Sequence, residues 1–362
     1  MRIIIAGGGT GGHIFPALAI ANALKKINSE IEILFVGAKG KMEMEKVPGA
    51  GYKIEGLDIA GFNRSSLIKN IGLPFKLVRS FLQVRKIFKS FHPEAVVGVG
   101  GYSSFPVLRS AQSKNIPTFI HETVEVPGKS NILLGKRATR IFVPSEGMNK
   151  YFPAEKISIT GNPVRNVFLQ KIDKSVALQF FGLGADKKTV FVMGGSLGAR
   201  SINETIEENI DVFKKNNLQL IWQTGKNYAD RAAKAEEERM NIWTNAFIDK
   251  MEYAYAAADV VIARSGAMTV AEMCVVGKPA IFVPYPFAAE DHQVANAKSL
   301  VDKKAALMVQ DAEVKEKLIP VLLPLVNNKE LIEELQNNVS KLGNTNADEV
   351  IAQEILNHIK KN

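Results

Sequence analysis

The run Gly7-Gly8-Gly9-Thr10-Gly11-Gly12-His13 carries the spacing G-x-G-x-x-G directly after an apolar stretch, Arg2-Ile3-Ile4-Ile5-Ala6. Glycines there remove Cβ atoms, so backbone N–H groups and a helix N-terminus can reach phosphate oxygens. A dinucleotide-binding domain also needs an acid at the end of its second strand to hold a ribose diol. That strand here ends Phe35-Val36-Gly37-Ala38-Lys39, which disfavours NAD and leaves NADP only Lys39. Gly100-Gly101-Tyr102-Ser103-Ser104 and Gly194-Gly195-Ser196-Leu197-Gly198-Ala199-Arg200 form two further glycine turns. Any one of them is also what a tight turn needs. Three together exceed one dinucleotide site and fit a cleft between two domains that handles two pyrophosphate-bearing molecules.

Residues 259–272 read as a strand, a turn and a helix start. Ser265-Gly266-Ala267-Met268-Thr269 can offer N–H groups to a phosphate, and Glu272, about one turn into the helix, can accept both hydroxyls of a ribose. Glu272 equally suits an acid that complements the helix dipole. Asp291-His292-Gln293 places an amide where sugar hydroxyls could be read. The chain has no Asp-x-Asp pair of the kind that holds a divalent ion on a leaving diphosphate. Neither a metal nor an organic cofactor is expected, and helix N-termini and arginine take over that work. Of five histidines, His13 stands at a loop's entry to a helix. The dipole's positive end holds an imidazole there neutral and able to accept a proton, though the position also suits a capping or packing residue.

These groups need elements to position them. Strand-like runs at 2–6, 31–36, 95–99, 118–121, 140–143, 189–193, 219–223, 260–263 and 280–283 alternate with helical stretches. That alternation is the pattern of parallel sheets with crossover helices. The run 3–11 is echoed at 190–198, so two doubly wound halves are expected, divided at Gly161-Asn162-Pro163. A last helix at about 347–361 could pack on either half.

A length of 362 residues, 46% apolar and 23% charged, suits two globular domains. One cysteine, Cys274, excludes an intrachain disulfide and makes a reducing compartment the expectation. No secretory-type leader precedes the first strand, and no apolar run has the roughly 20 residues that span a bilayer. Residues 1–163 hold 22 Lys and Arg against 11 Asp and Glu, and residues 164–362 hold 24 against 26. The basic excess lies wholly in the first half and suggests an anionic partner there.

Residues 59–93 contain seven of those cations and no acid. Pro74 opens a helix in which Leu77, Phe81, Val84, Phe88 and Phe91 form one stripe, expected to face the core. A second stripe, Phe75, Val78 and Leu82, lies roughly 100–160° away, bordered by Arg79, Arg85, Lys86 and Lys89. Apolar side chains set among cations suit an anionic membrane leaflet. A helix buried on two sides, a protein interface and a nucleic-acid surface are the alternatives. No nucleic-acid motif accompanies the charge.

Gly8-Gly9-Thr10-Gly11-Gly12-His13, Gly100-Gly101-Tyr102-x-Ser104, His121-Glu122, Gly161-Asn162-Pro163-Val164-Arg165, Gly194-Gly195-Ser196-x-Gly198-Ala199-Arg200, Arg264-Ser265-Gly266-Ala267-x-Thr269-Val270-x-Glu272 and Asp291-x-Gln293 occur in one order. In that order and approximate spacing they resemble the MurG family, bacterial transferases that add N-acetylglucosamine to undecaprenyl-pyrophosphoryl-N-acetylmuramyl-pentapeptide. The resemblance covers nearly the whole chain. It implies a GT-B fold, two Rossmann-like parallel-sheet domains facing a cleft, here 1–163 plus 343–362 and 164–342. It implies UDP-N-acetylglucosamine on the second domain, with Ile248 at the uracil, Glu272 on the ribose, Ser196 and Arg165 at the diphosphate, Ala267, Met268 and Thr269 lining the turn, and Gln293 on the sugar. Thr10, Gly11 and Gly12 would face the acceptor. By the same resemblance the partners are the nucleotide sugar, the undecaprenyl-linked muramyl-pentapeptide and the anionic inner leaflet, with no nucleic acid. The place of work is the cytoplasmic face of the membrane, peripherally.

Two positions depart from the family pattern: Val124 stands where His-Glu-x-Asn has its amide, and His292 precedes Gln293 where paired glutamines are common. The expected reaction is direct displacement with inversion, His13 taking the hydroxyl proton and Glu122 standing behind it as second choice. Competing expectations are an inverting GT-B transferase with another acceptor, a dinucleotide-dependent oxidoreductase, and a non-catalytic nucleotide-sugar binder.

Overall fold

The computed structural model describes residues 1–61, 72–195, 197–237, 241–288 and 291–360. The chain divides into two compact units, Met1–Arg165 with Asn344–Asn362, and Asn166–Gly343.

In chain order the first unit begins β1 (Arg2–Ala6), α1 (Gly11–Ile27), β2 (Glu32–Ala38), α2 (Glu43–Gly49), β3 (Lys53–Leu57) and α3 (Leu73–Phe91). It continues β4 (Ala95–Gly98), α4 (Ser104–Ser113), β5 (Thr118–His121), α5 (Lys129–Gly135), β6 (Arg140–Val143) and β7 (Ile157–Ile159). Its strands form one parallel sheet in the order β3-β2-β1-β4-β5-β6-β7. Both faces of the sheet are covered, so β1 reads as an unbroken apolar run. Ile3 and Ile5 join the core on one face with Ile14 and Ile20 of α1, while Ile4 and Ala6 join the opposite core with Val84 and Phe88 of α3.

The second unit holds α6 (Lys174–Phe180), β8 (Lys188–Met193), α7 (Arg200–Glu208), α8 (Ile210–Lys215), β9 (Leu218–Gln223), α9 (Ala229–Glu237), β10 (Ile242–Asn245) and α10 (Met251–Ala257). Then come β11 (Val260–Ala263), α11 (Ala267–Val276), β12 (Ala280–Phe282), α12 (His292–Val301), β13 (Leu307–Met308), α13 (Val314–Asn327) and α14 (Lys329–Ser340). The sheet order is β10-β9-β8-β11-β12-β13, again parallel throughout. The last helix, α15 (Ala347–Lys360), returns to the first unit, where Ile351, Ala352, Ile355 and Leu356 pack into the core shared with α1.

In each sheet the strand order reverses once, between β1 and β4 and between β8 and β11. Loops diverge at such a reversal and leave a crevice beyond the strand ends. The glycine turns after β1 and β4 flank the first crevice, and those after β8 and β11 flank the second.

The structure corrects two expectations. The nine sequence-derived strands form, but β3, β7, β10 and β13 were not foreseen, and these are the four sheet edges. Leu77, expected in the core, is exposed. The core-facing residues of α3 are Ser80, Val84 and Phe88, because the helix meets the sheet only from its third turn onward.

Candidate functional site

At the first crevice, Gly8 N donates to Gly100 O (3.3 Å), closing the two glycine turns on each other. Gly100 (φ +92°) cannot carry a side chain, since a Cβ there would lie 2.8 Å from the His13 ring. The loop's other side rests on Glu43, at the start of α2, which is almost wholly buried. Its Oε2 accepts from Gly9 N (2.8 Å) and its Oε1 from Ala38 N (2.9 Å). A Cβ on Gly8 (φ +142°) would fall 2.4 Å from the Glu43 carboxyl carbon. The missing side chain of Gly8 therefore makes room for a protein carboxylate. Glu43 occupies the β2 end with a bond to the chain's own backbone, where a dinucleotide fold presents an acid to ribose.

α1 starts at Gly11, and its first helical bonds run from His13 N and Ile14 N to Thr10 O. The N–H groups of Gly11 and Gly12 precede those bonds and remain available at the positive end of the helix. The His13 ring lies with Nδ1 3.1 Å from Gly8 O and 3.5 Å from Thr10 Oγ1. Burial lowers its pKa below the ordinary histidine value, while the Gly8 carbonyl and the Glu43 charge act in the opposite direction. His121, at the end of β5, is fully buried; burial and then the charge of His13 bring it down to about 3.

Glu122 sits differently. Its oxygens accept from Thr123 N (3.0 Å), Val124 N (3.3 Å) and Asn131 Nδ2 (2.8 Å), and burial raises its pKa. The carboxylate organises the loop after β5, and Asn162 Nδ2 donates to Thr123 O (3.0 Å) from the other side. Of the two base candidates, His13 is the one placed at the glycine crevice. Arg165 lies over the Phe15 ring of α1, 4.6 Å from guanidinium carbon to centroid. His13, Thr10, Gly11, Gly12 and Arg165 are thus brought to one end of the first unit.

At the second crevice α11 opens with Ala267, Met268 and Thr269, whose N–H groups precede the first helical bond, Val270 N to Gly266 O (3.0 Å). Five residues after Ala267, Glu272 is buried and accepts from Tyr255 Oη at 2.8 Å. Ile248 N donates to Gln223 Oε1 (2.9 Å), so only its carbonyl is left for a base edge. The same Gln223 donates from Nε2 to Gly195 O (3.1 Å) and so joins the turn after β8 to residue 248. Gln293 Oε1 accepts from Tyr285 N (3.0 Å), which leaves its NH₂ to meet a ligand. Arg264 donates to Val283 O, Pro284 O, Asp311 and Ser201, a set of bonds that fixes the loops around the crevice. Ser196 lies outside the described residues. Among the described residues, no group of three His, Cys, Asp or Glu side chains could hold a metal ion.

Glu43, Tyr255 and Gln223 were not foreseen from the sequence. Only Glu43 had a signal, an acid soon after the second strand, five residues beyond the place where a dinucleotide pattern puts one.

Comparison with known proteins decides the family. Residues 3–143 match the glycosyltransferase family 28 N-terminal domain and residues 189–355 its C-terminal domain. A protein of Bacteroides fragilis is 48% identical over 361 residues, covering 98% of this chain and 95% of the relative. One of Parabacteroides distasonis is 47% identical over 99% of both. Both are named UDP-N-acetylglucosamine--N-acetylmuramyl-(pentapeptide) pyrophosphoryl-undecaprenol N-acetylglucosamine transferase. The crystal structure of Acinetobacter baumannii MurG superposes with a TM-score of 0.75 at 28% identity, over 98% of this chain and 99% of that one. The chain belongs to the MurG family. Its fold is GT-B, with two Rossmann-like parallel-sheet domains. A UDP-GlcNAc 2-epimerase of Neisseria meningitidis shares that fold alone, with a TM-score of 0.70 at 16% identity, covering 99% of this chain and all of the other.

The first unit of this MurG-family chain also carries an exposed surface on α3. On α3, Phe75, Val78 and Leu82 are 79%, 62% and 57% exposed. At 100° per residue they share an arc of about 80° with Arg85 and Lys89, so one face is apolar in its first half and cationic in its second. Arg85 and Lys89 also line a groove with Phe88, His92 and Lys114. Arg79 instead pairs with Asp58 (3.2 Å), which also holds Lys39 (2.9 Å), so its charge is partly neutralised. Lys86 is exposed. Among the described residues, no helix is long and apolar enough to cross a membrane.

Proposed function

We infer that this chain transfers N-acetylglucosamine from UDP-N-acetylglucosamine to the 4-hydroxyl of undecaprenyl-pyrophosphoryl-N-acetylmuramyl-pentapeptide, the lipid I to lipid II step of peptidoglycan synthesis. The observation that carries the reading is near-full-length identity of about 48% to transferases of that name. The chemistry follows from the groups described. His13 Nε2 takes the hydroxyl proton, the freed oxygen attacks the anomeric carbon, and the bond from that carbon to the diphosphate oxygen breaks with inversion. Charge then grows on the departing UDP. The N–H groups of Ala267, Met268 and Thr269, together with the Arg165 guanidinium, meet that charge in this reading; Ser196, assigned to the same diphosphate by the resemblance, lies outside the described residues. Each preorganised donor is worth about 3–4 kcal/mol if it matches known oxyanion sites. Glu272 holds the ribose, the Ile248 carbonyl meets the uracil and Gln293 reads the sugar. Thr10, Gly11 and Gly12 bound the acceptor side.

The acceptor's polyprenyl tail stays in the bilayer, so the enzyme must work at a membrane surface. In this reading the α3 face docks there, Phe75, Val78 and Leu82 entering the anionic inner leaflet while Arg85, Lys86 and Lys89 meet its phosphates. The enzyme thus acts from the cytoplasmic side as a peripheral protein. The test is to incubate it with UDP-N-acetylglucosamine and lipid-linked muramyl-pentapeptide. A β-1,4 disaccharide lipid is expected. Product with another lipid but none with this one moves the reading to a different acceptor, and donor binding without any product removes the enzyme reading.

A further inference from the structure

Glu43 is a buried carboxylate, and among the described residues its hydrogen-bond partners are two backbone N–H groups. Among the described residues no Lys or Arg forms an ion pair with it. Loop closure alone can be achieved by neutral acceptors, which do not carry the desolvation cost of a buried charge. The acid therefore calls for a further role, and the peptide it holds supplies one. Gly9 N–H, bonded to Glu43 Oε2 at 2.8 Å, and Gly8 C=O, 3.1 Å from His13 Nδ1, are the two ends of a single amide.

We propose that Glu43 is a positioning residue for His13, acting through the Gly8–Gly9 peptide group between them. The proposal rests on the reading of His13 as the base. An amide is resonance-coupled from N–H to C=O. A carboxylate accepting at one end draws electron density toward the other, so Gly8 O becomes a stronger acceptor for Nδ1–H. That bond fixes the tautomer with the lone pair on Nε2. When Nε2 takes the proton from the acceptor hydroxyl, the imidazolium charge is stabilised through Nδ1–H, the amide and the carboxylate, and no second proton moves. The arrangement does for His13 what a carboxylate bonded directly to a catalytic histidine does, with an amide interposed.

The sequence around Glu43 agrees with this role. Gly8 and Gly37 both leave room for that one side chain, since a Cβ would stand 2.4 Å from its Cδ or 2.5 Å from its Cγ. The titratable groups facing the ring are Glu43 from α2 and His121 from β5. His121 is the weaker influence because it stays neutral down to about pH 3.

The test is Glu43→Gln, which keeps the shape but removes the charge and presents an NH₂ to one of the two N–H groups. The expected result is a fall in kcat of about 30-fold, with KM for UDP-N-acetylglucosamine within about twofold of wild type. The acid limb of the kcat profile should move to lower pH, because His13 loses the charge that opposes burial. In a His13→Ala background the same substitution should change the residual rate less than about twofold. In the wild-type protein, ¹⁵N-histidine shifts should place the neutral proton on Nδ1. An unmoved acid limb, an effect of Glu43→Gln that persists in His13→Ala, or a proton on Nε2 overturns the proposal while leaving His13 as base. Near-normal turnover of His13→Ala overturns both. If Glu43→Gln does not fold, the wild-type tautomer decides.

Discussion

Tyr255→Phe isolates how the donor site is built. Tyr255 Oη gives its hydrogen bond to Glu272 Oε2 at 2.8 Å, and both residues are buried. A hydrogen bond to a buried charged group is worth about 1.5–3 kcal/mol. The substitution removes a single oxygen, so packing against Phe168 and Phe191, whose rings lie 5.3 and 5.6 Å away, is retained. If Glu272 holds the ribose, losing the bond that aims it weakens UDP by up to the same amount, about 10- to 150-fold in Kd. Titration calorimetry with UDP and with UDP-N-acetylglucosamine should show equal losses, because both carry the ribose, and KM for the lipid acceptor should not change. Thermal denaturation should register a separate loss from the broken bond itself. A variant that melts earlier yet binds UDP within twofold of wild type would refute the reasoning, since Glu272 would then not be a ribose ligand supported by Tyr255.

Other outcomes follow from the same geometry. Neutralising Arg85, Lys86 and Lys89 together should cost about 3 kcal/mol of attraction to anionic vesicles, at about 1 kcal/mol each, while adding Arg79 should do less because Asp58 already pairs with it. Unchanged sedimentation with such vesicles would count against the α3 face. His13 and His121 both have lowered folded-state pKa values, so the unfolded chain binds more protons below about pH 6.5. Stability is fully present above that pH and falls as pH drops, and His121→Phe should flatten the fall by about 1.4 kcal/mol per pH unit in urea titrations between pH 6 and 5. Burial pushes the Cys274 thiol up to about 11, so a disulfide reagent at pH 8 should modify native protein far more slowly than urea-unfolded protein. Equal rates would show that the α11 face opens readily.

Legibility followed burial. Central strands such as Val190-Phe191-Val192 are apolar on both sides, because helices cover both faces of a parallel sheet, and that pattern is visible along the chain. The edge strands lack that pattern: Lys53-Ile54-Glu55-Gly56-Leu57 is half-exposed and mixed in polarity, β13 is only Leu307-Met308, and their pairing is set by a neighbour that no local pattern names. The site divides in the same way. Glycine turns, His13 and the start of α11 announce themselves through residue type and spacing. Glu43, Tyr255 and Gln223 act on partners 34, 17 and 25 positions away, and only the fold brings them there. Leu77 misled because helical periodicity identifies a face without saying which turns of that face meet the sheet.

The return of α15 to the first unit has a consequence for biosynthesis. Helix α1 packs against α15, and the core they share includes Ile351 and Ile355, made more than three hundred positions after α1. During synthesis the second unit has all of its own residues before the first, although translated earlier, has its last wall. A chain that stops at Gly343 should therefore protect residues 166–343 from protease and leave residues 1–165 open to it.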